Sequence, residues 1–354
     1  MMFLHKALRS GVFILIAIGA MAAVSLTTTH RTALAAAQLA PSPTPPCDPT
    51  QTTCTFTPLP EPKTSKYNEA EVKKIDLTVY PLLPEIDNHI LVWFEEGQKH
   101  GNNIHVFSKV GDCMTATASF LRPFSGGDYN LGDHASLDKV IKLIVGVPAH
   151  GPDAKAPDNL DSFANPGLAA YSGFDTATVL DPAFSDTTKG CKADESSLGC
   201  EYRLSKPGIA FIMFGTNDIK AIKPADYDLY LRKVVVQTIN NGTIPVLSTF
   251  PTQPGLEDSS LLYNQITVQI AQEYDIPLIN LWLALKPLPN QGVDPQNHTH
   301  MTSPGDGKVA YFTTDDLQSG FNVRNLLTLQ TLEAILMKVD PALAQSGTAT
   351  PASS

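Results

Sequence analysis

Three short stretches of this chain carry side chains suited to act as a nucleophile, a hydrogen-bond donor and a base. Cys113 ends the run Gly111-Asp112-Cys113, Asn217 stands in Gly215-Thr216-Asn217-Asp218, and His298 and His300 lie in Asp294-Pro-Gln-Asn297-His298-Thr299-His300. A thiolate attacks carbonyl carbon, and a neighbouring imidazole both takes the thiol proton and pulls the thiol pKa below its usual ~8.5. Attack leaves negative charge on the carbonyl oxygen, which preorganised donors such as a carboxamide must meet; losing one costs about 10²–10³ in rate. The rival chemistry is a metal site: His298-x-His300 with Asp294 is a partial ligand set, although no further His or Cys cluster completes the shell. Cys113 could also be a small buried filler, and Asn217 and Asp218 plain helix caps. What decides is where the chain puts them.

The apolar runs around these residues set their positions. Ile209-Ala-Phe-Ile-Met-Phe214 is wholly apolar and stops at Gly215, which predicts a strand buried on both faces, the habit of parallel sheets. Ile104–Val110 predicts a second strand. It meets Gly111, where a residue without Cβ suits a tight strand-to-helix turn. Cys113 then sits at a strand end and a helix start, the usual seat of a nucleophile in α/β enzymes. Ile244–Phe250 and Ile276–Leu283 predict two more strands, and helices are predicted over 86–100, 227–240, 259–274 and 322–339. The stretch 165–180 reads as loop passing into helix, capped by Asp175 or Thr176, and 140–147 as helix or strand. Alternating strands and helices imply right-handed βαβ units and a parallel sheet. Ligands of such sheets bind beyond the carboxyl ends of the strands, where Cys113, Asn217 and both histidines fall. Asp218 is expected to do little beyond capping. Trp93, Phe94, Phe214 and Trp282 are expected in the core, with His134, His150, Asp128 to Asp133 and Asp194-Glu195 at the surface.

Together the blocks make the chain resemble the SGNH (GDSL-type) hydrolases, a family of esterases, lipases and carbohydrate deacetylases, over roughly residues 104–310. The family's Gly-Asp-Ser block is matched by Gly111-Asp112-Cys113, and its Gly-x-Asn-Asp block by Gly215-Thr216-Asn217-Asp218. Its oxyanion glycine is matched by Gly173 in Tyr-Ser-Gly-Phe-Asp-Thr, and its Asp-x-x-His block by Asn297-His298-Thr299-His300, with Met301-Thr302 following. The resemblance implies an α/β fold, a three-layer α/β/α sandwich with a flavodoxin-like parallel sheet. It implies Cys113 as nucleophile, His300 as base, Asn297 or Asp294 orienting the base, and an oxyanion hole from Gly173, Asn217 and the Cys113 amide. No cofactor is implied, and the substrate class is a small-molecule or glycan ester.

Two departures from the family pattern go together. Cysteine replaces the nucleophilic serine, and Asn297 stands where the family has an aspartate, unless Asp294 reaches in. A thiolate–imidazolium pair needs an orienting partner more than an anionic one, as Cys-His-Asn sites on another fold demonstrate. The same departures fit an SGNH-like domain that has lost its triad and only binds extracellular or cell-wall glycan.

Beyond the site, Lys6 and Arg9 precede an apolar run from Gly11 to Leu26 and then Ala33-Leu34-Ala35. That is the pattern of a signal peptide over residues 1–35; an uncleaved anchor is the other reading, since the run approaches the ~18–20 residues that span a bilayer. Either way the body of the protein is expected outside the cytoplasm, secreted or held at the membrane or cell wall by its N-terminus. Residues 36–66 read as a Pro/Thr-rich linker, 67–341 as one α/β domain, and 342–354 as a low-complexity tail. Cys47 with Cys54 and Cys191 with Cys200 enclose short loops and are expected to pair, leaving Cys113 free. With 25 basic against 35 acidic residues, a net charge of -10 and no basic stripe, nucleic acid is not an expected partner.

Overall fold

The longest apolar runs form the centre of the molecule, because only a strand flanked on both sides hides such runs completely. Strands β1 (Asn103–Gly111), β2 (Pro207–Met213), β3 (Ile244–Ser248) and β4 (Leu278–Ile279) lie side by side in that order, all parallel. Every residue of β2 and β3 is buried. The computed structural model describes residues 55–151 and 160–345; the expected signal peptide, the Cys47–Cys54 pair and the end of the tail lie outside the described residues.

Eleven α-helices accompany the sheet among the described residues: α1 (Glu69–Val72), α2 (His89–His100), α3 (Cys113–Ala116), α4 (Leu137–Ile144), α5 (Ser197–Ser205), α6 (Asp218–Ala221), α7 (Pro224–Asn240), α8 (Glu257–Tyr274), α9 (Leu281–Leu285), α10 (Gly320–Val339) and α11 (Pro341–Gln345). None is long and apolar enough to cross a membrane. The longer ones fall into two groups. In one, α7 joins α5 and α8 through bonds between Tyr202 Oη and Thr238 Oγ1 and between Tyr227 Oη and Thr267 Oγ1. In the other, α10 packs on α2 and α4. This α/β arrangement is compatible with three α/β/α layers.

At the outer edge of β1 a further segment runs parallel to it without forming a full strand. Gly111 bridges Ala170, its N–H donating to Ala169 O at 3.0 Å while Tyr171 N–H donates to Gly111 O at 3.2 Å. The Cys191–Cys200 disulfide forms as expected. Leu59, in the Pro-rich stretch before the domain, is buried, and its backbone N–H and C=O both bond the carboxamide of Asn240.

Several elements differ from expectation, each for a local reason. The stretch 276–283 yields only two strand residues, because Asn280 turns the chain into α9. Its Oδ1 caps Leu283 N–H, and its Nδ2 donates to Leu77 O. The helix expected near 175–180 shrinks to a single 3₁₀ turn, Thr178–Leu180. Asp175 Oδ1 takes the amides of Ala177 and Thr178, and Pro182 two residues on bars continuation. Of the segment 140–147, residues 140–144 are helical, closing α4, whose buried Leu137, Val140, Ile141 and Ile144 keep helical spacing, and 145–147 turn away after it. His150 is not a surface residue. It is 10% exposed, facing Glu201 at 3.6 Å across the edge of β1. Trp93, Phe214 and Trp282 are buried as expected.

Candidate active site

Register builds the site. Gly111 is paired with Met213, so the two chains leave the sheet together at its carboxyl edge. Gly111 tolerates no side chain there, since a Cβ would run into Met213 O and Thr115 Oγ1. The chain then enters α3 with Asp112 as its cap, Oδ1 accepting from Met114 N–H at 3.0 Å, and Cys113 as the first helical residue. The backbone N–H of Cys113 makes no protein hydrogen bond among the described residues, as expected for a first-turn amide.

On the neighbouring strand, Gly215 has φ 130°, and a Cβ would meet the ring of Phe250. Asn217 and Asp218 follow, and both reach into the loop that carries Gly173. Asn217 Nδ2–H donates to Phe174 O at 2.7 Å, using one of the two N–H groups of the carboxamide. Asp218 Oδ1 accepts from Thr176 N–H at 2.9 Å and Thr176 Oγ1–H at 2.6 Å, while Oδ2 accepts from Gly215 N–H at 2.9 Å. Asp218 is fully buried and is the tie between the two loops, a larger part than the capping expected of it. Gly173 itself is exposed, has φ 94°, and its N–H is unbonded among the described residues.

The histidine loop arrives from the far side. Val293 bridges Met301, closing the loop at its base, and Met301 is buried. At its tip, Thr299 O lies 3.3 Å from Cys113 Sγ and accepts the thiol proton. The flanking rings of His298, exposed, and His300, half-buried, make no hydrogen bond among the described residues. The side chains expected to orient the base are occupied within the loop. Asp294 Oδ1 accepts from the amides of Gln296 and Asn297, and Asn297 Oδ1 accepts from Thr299 N–H and Oγ1–H. Neither bonds an imidazole. The rival metal reading fares no better, because only Asp87, His89 and Asp275 bring three ligand atoms within 4.8 Å of one another among the described residues.

The electrostatics keep the thiol protonated. Burial, helped by the neighbouring Asp112 carboxylate, pushes Cys113 up to about 11. Burial and the proximity of Asp218 push Asp112 up to about 7, and burial pushes Asp218 up to about 6. Asp112 Oδ2 is buried without a hydrogen-bond partner.

Two features escaped the sequence reading. The first turns of α10 carry buried polar residues that hold the loops around the site. Arg324 Nη1–H donates to Met114 O at 2.6 Å and Nη2–H to Thr115 Oγ1 at 3.0 Å, while Asn325 bonds Leu121 N–H, Ser119 O and Val309 O. The visible signal was Asn322-Val-Arg324-Asn325 opening an otherwise apolar helix. The second is a cavity of about 500 Å³ beside the Gly173 loop, lined in part by Tyr171, Gly173, Phe174, Phe184 and Ser185. Tyr171 and Phe184 are 63% and 52% exposed, unusual for aromatic rings. A larger cavity of about 710 Å³ between α5 and α7 includes none of the candidate residues.

No family model, curated protein or solved structure matches this chain.

Proposed function

We propose that the chain is an exported SGNH-like acyl hydrolase that cleaves an ester through Cys113, with His300 as base. The observation that carries this reading is the 3.3 Å approach of Cys113 Sγ to Thr299 O, between the two histidines. Two segments distant in sequence thereby meet beyond the strand ends, where α/β sheets bind ligands, and the Gly215 turn reaches the same helix through Thr216 Oγ1–H donating to Met114 Sδ at 3.8 Å. Counting the edge segment at Ala170 as the second strand in chain order gives 2-1-3-4-5, the flavodoxin-like order, with its switch point between β1 and β2. The free N–H groups of Cys113 and Gly173 and the spare N–H of Asn217 supply donors for an oxyanion.

The reaction begins when substrate displaces Thr299 O from the thiol. His300 then takes the proton, sulfur attacks the ester carbonyl, the alcohol leaves with that proton, and water hydrolyses the thioester. Catalytic hydrogen bonds that are long or absent in a free enzyme commonly tighten when substrate binds. Asn297 or Asp294 orients His300 once the loop rearranges. The ester belongs to a small molecule or a glycan whose body lies in the cavity beside Gly173. The Cys191–Cys200 disulfide is compatible with a location outside the cytoplasm, secreted or held at the surface through residues 1–35.

A second reading has its own support. The proton held on Cys113 by Thr299 O, with neither imidazole bonded, fits a module that has kept the scaffold and binds glycan without turnover. Hydrolysis of p-nitrophenyl acetate by the full chain, with and without a thiol alkylator, decides between them. The hydrolase reading expects turnover that alkylation and Cys113→Ala both abolish. Turnover indifferent to both, or none at all, overturns it.

A further inference from the structure

Arg324 is a buried cation without a carboxylate partner. It is 3% exposed, it forms no ion pair among the described residues, and its guanidinium lies 3.7 Å over the ring of Phe120. The other buried arginine behaves differently: Arg232 is neutralised by Asp228 at 2.8 Å and Glu273 at 2.7 Å. Burying an unpaired charge is expensive, and chains retain one where it acts on something nearby. Both hydrogen bonds of Arg324 go to the nucleophile turn, to the carbonyl of Met114 and the hydroxyl of Thr115, the two residues after Cys113. Burial draws the guanidinium down to about 9, so it stays cationic at neutral pH, and the groups that counter this are the Asp112 carboxylate and Cys113 in its ionised form.

We propose that Arg324 is a positioning residue that holds α3 in place and supplies the positive charge against which the Cys113 thiolate forms. The proposal rests on Cys113 being the nucleophile, and it assigns to α10 an electrostatic part that no imidazole plays in the resting site. Five charged or titratable groups lie around the Cys113 turn: Asp112 on the turn itself, Asp218 on α6 acting on Asp112, Arg324 on α10, and the imidazoles of His298 and His300 flanking Thr299. Of these only Arg324 is both cationic and fixed by hydrogen bonds to α3. Asp112 opposes it, with a buried oxygen that has no partner. The reactivity of the thiol is therefore set by two buried charges of opposite sign, Asp112 at the cap of α3 and Arg324 against its middle residues, Met114 and Thr115.

The test reads the thiol directly and does not depend on ester turnover. The full chain is alkylated with iodoacetamide across pH 7–10, and modification of the Cys113 peptide is followed by mass spectrometry. Arg324→Gln keeps donors toward Met114 O but removes the charge; Arg324→Lys keeps the charge. Arg324→Gln is expected to slow alkylation at pH 8.5 about tenfold, a shift of about one pKa unit. Arg324→Lys is expected to stay within about threefold, and Asp112→Asn to speed alkylation about tenfold. Equal rates for Arg324→Gln and the parent overturn the proposal. So does an equal slowing in Arg324→Lys, which would make the role one of shape alone. Should Arg324→Gln fail to fold, Arg324→Lys and Asp112→Asn decide: no acceleration in Asp112→Asn, or a tenfold loss in folded Arg324→Lys, overturns it. The two readings fail separately, since alkylation can respond to these charges whether or not the chain turns over esters.

Discussion

Asp218 shows how one side chain acquires a role that its position alone does not reveal. As the second residue past a strand it reads as a cap, yet its two oxygens hold Thr176 and the Gly215 amide together, with no exposure to solvent. Asp218→Ala leaves three buried donors unpaired, each costing about 1–3 kcal/mol. The variant is expected to lose several degrees in thermal midpoint. Its ester turnover should fall further than that of an equally destabilised core variant, because the Gly173 amide loses its anchor. Equal losses in the two variants would show that the tie only stabilises. Cys113 teaches the opposite lesson. Its place after Gly-Asp promised a reactive thiol, while burial and the Asp112 charge make the resting thiol a weak acid.

The turns after β1 and β2 place the site, and each depends on a glycine that cannot be replaced. Gly215→Ala would force a methyl group against the Phe250 ring from a backbone with φ 130°. The strand and α6 would separate, moving Asn217 and Asp218 together. The expected result is a destabilisation of about 2–4 kcal/mol, from overpacking and a strained backbone, measured by urea unfolding, and loss of turnover at temperatures where the variant remains folded. An alanine variant with unchanged stability would mean that the turn yields easily, contrary to its packing. The histidine loop is held differently. It is closed at Val293–Met301 and braced by Asx-type bonds from Asp294 and Asn297. Those bonds stiffen the tip that meets Cys113 and, in the same act, occupy the side chains proposed to orient His300.

For the molecule as a whole, buried ionisable groups dictate how stability varies with pH. Asp112 and Asp218, raised to about 7 and about 6 from the usual 3.8, bind more protons folded than unfolded between pH ~4 and ~7. Stability therefore falls as pH rises through that window. Lys109 is lowered to about 7 from 10.5, chiefly by burial, with its ammonium donating to Phe163 O. It binds fewer protons folded than unfolded between pH ~7 and ~10.5, so its contribution makes stability rise with pH there. His89, raised to about 10 by its bonds to Asp275 and Asp87, binds more protons folded than unfolded between pH ~6.5 and ~10 and so works against Lys109 over nearly the same range; the net fall in stability lies between pH ~4 and ~7. Thermal midpoints measured from pH 4 to 10 should show that fall, flattened in Asp112→Asn, and in Lys109→Met a further fall above pH ~7 as His89 loses its proton uncompensated. A profile unchanged in both variants would mean that these groups titrate normally.

By itself the sequence determined the parallel sheet and the edge at which the Gly111 and Gly215 turns leave it. Fully apolar runs ending at Gly111 and Gly215 leave few other ways to hide them, and Cys191 and Cys200 lie close enough to pair. The helix expected near 175–180, the long fourth strand and the exposed His150 failed because Asp175, Asn280 and Glu201 bond locally or across the sheet edge, and periodicity does not register such bonds. Only the tertiary structure decided that the thiol proton goes to Thr299, that Asp218 ties two loops, and that α10 delivers Arg324 to the Cys113 turn. Those contacts join residues up to 210 positions apart, and the balance of desolvation and charge that sets their chemistry exists only once the chain has packed.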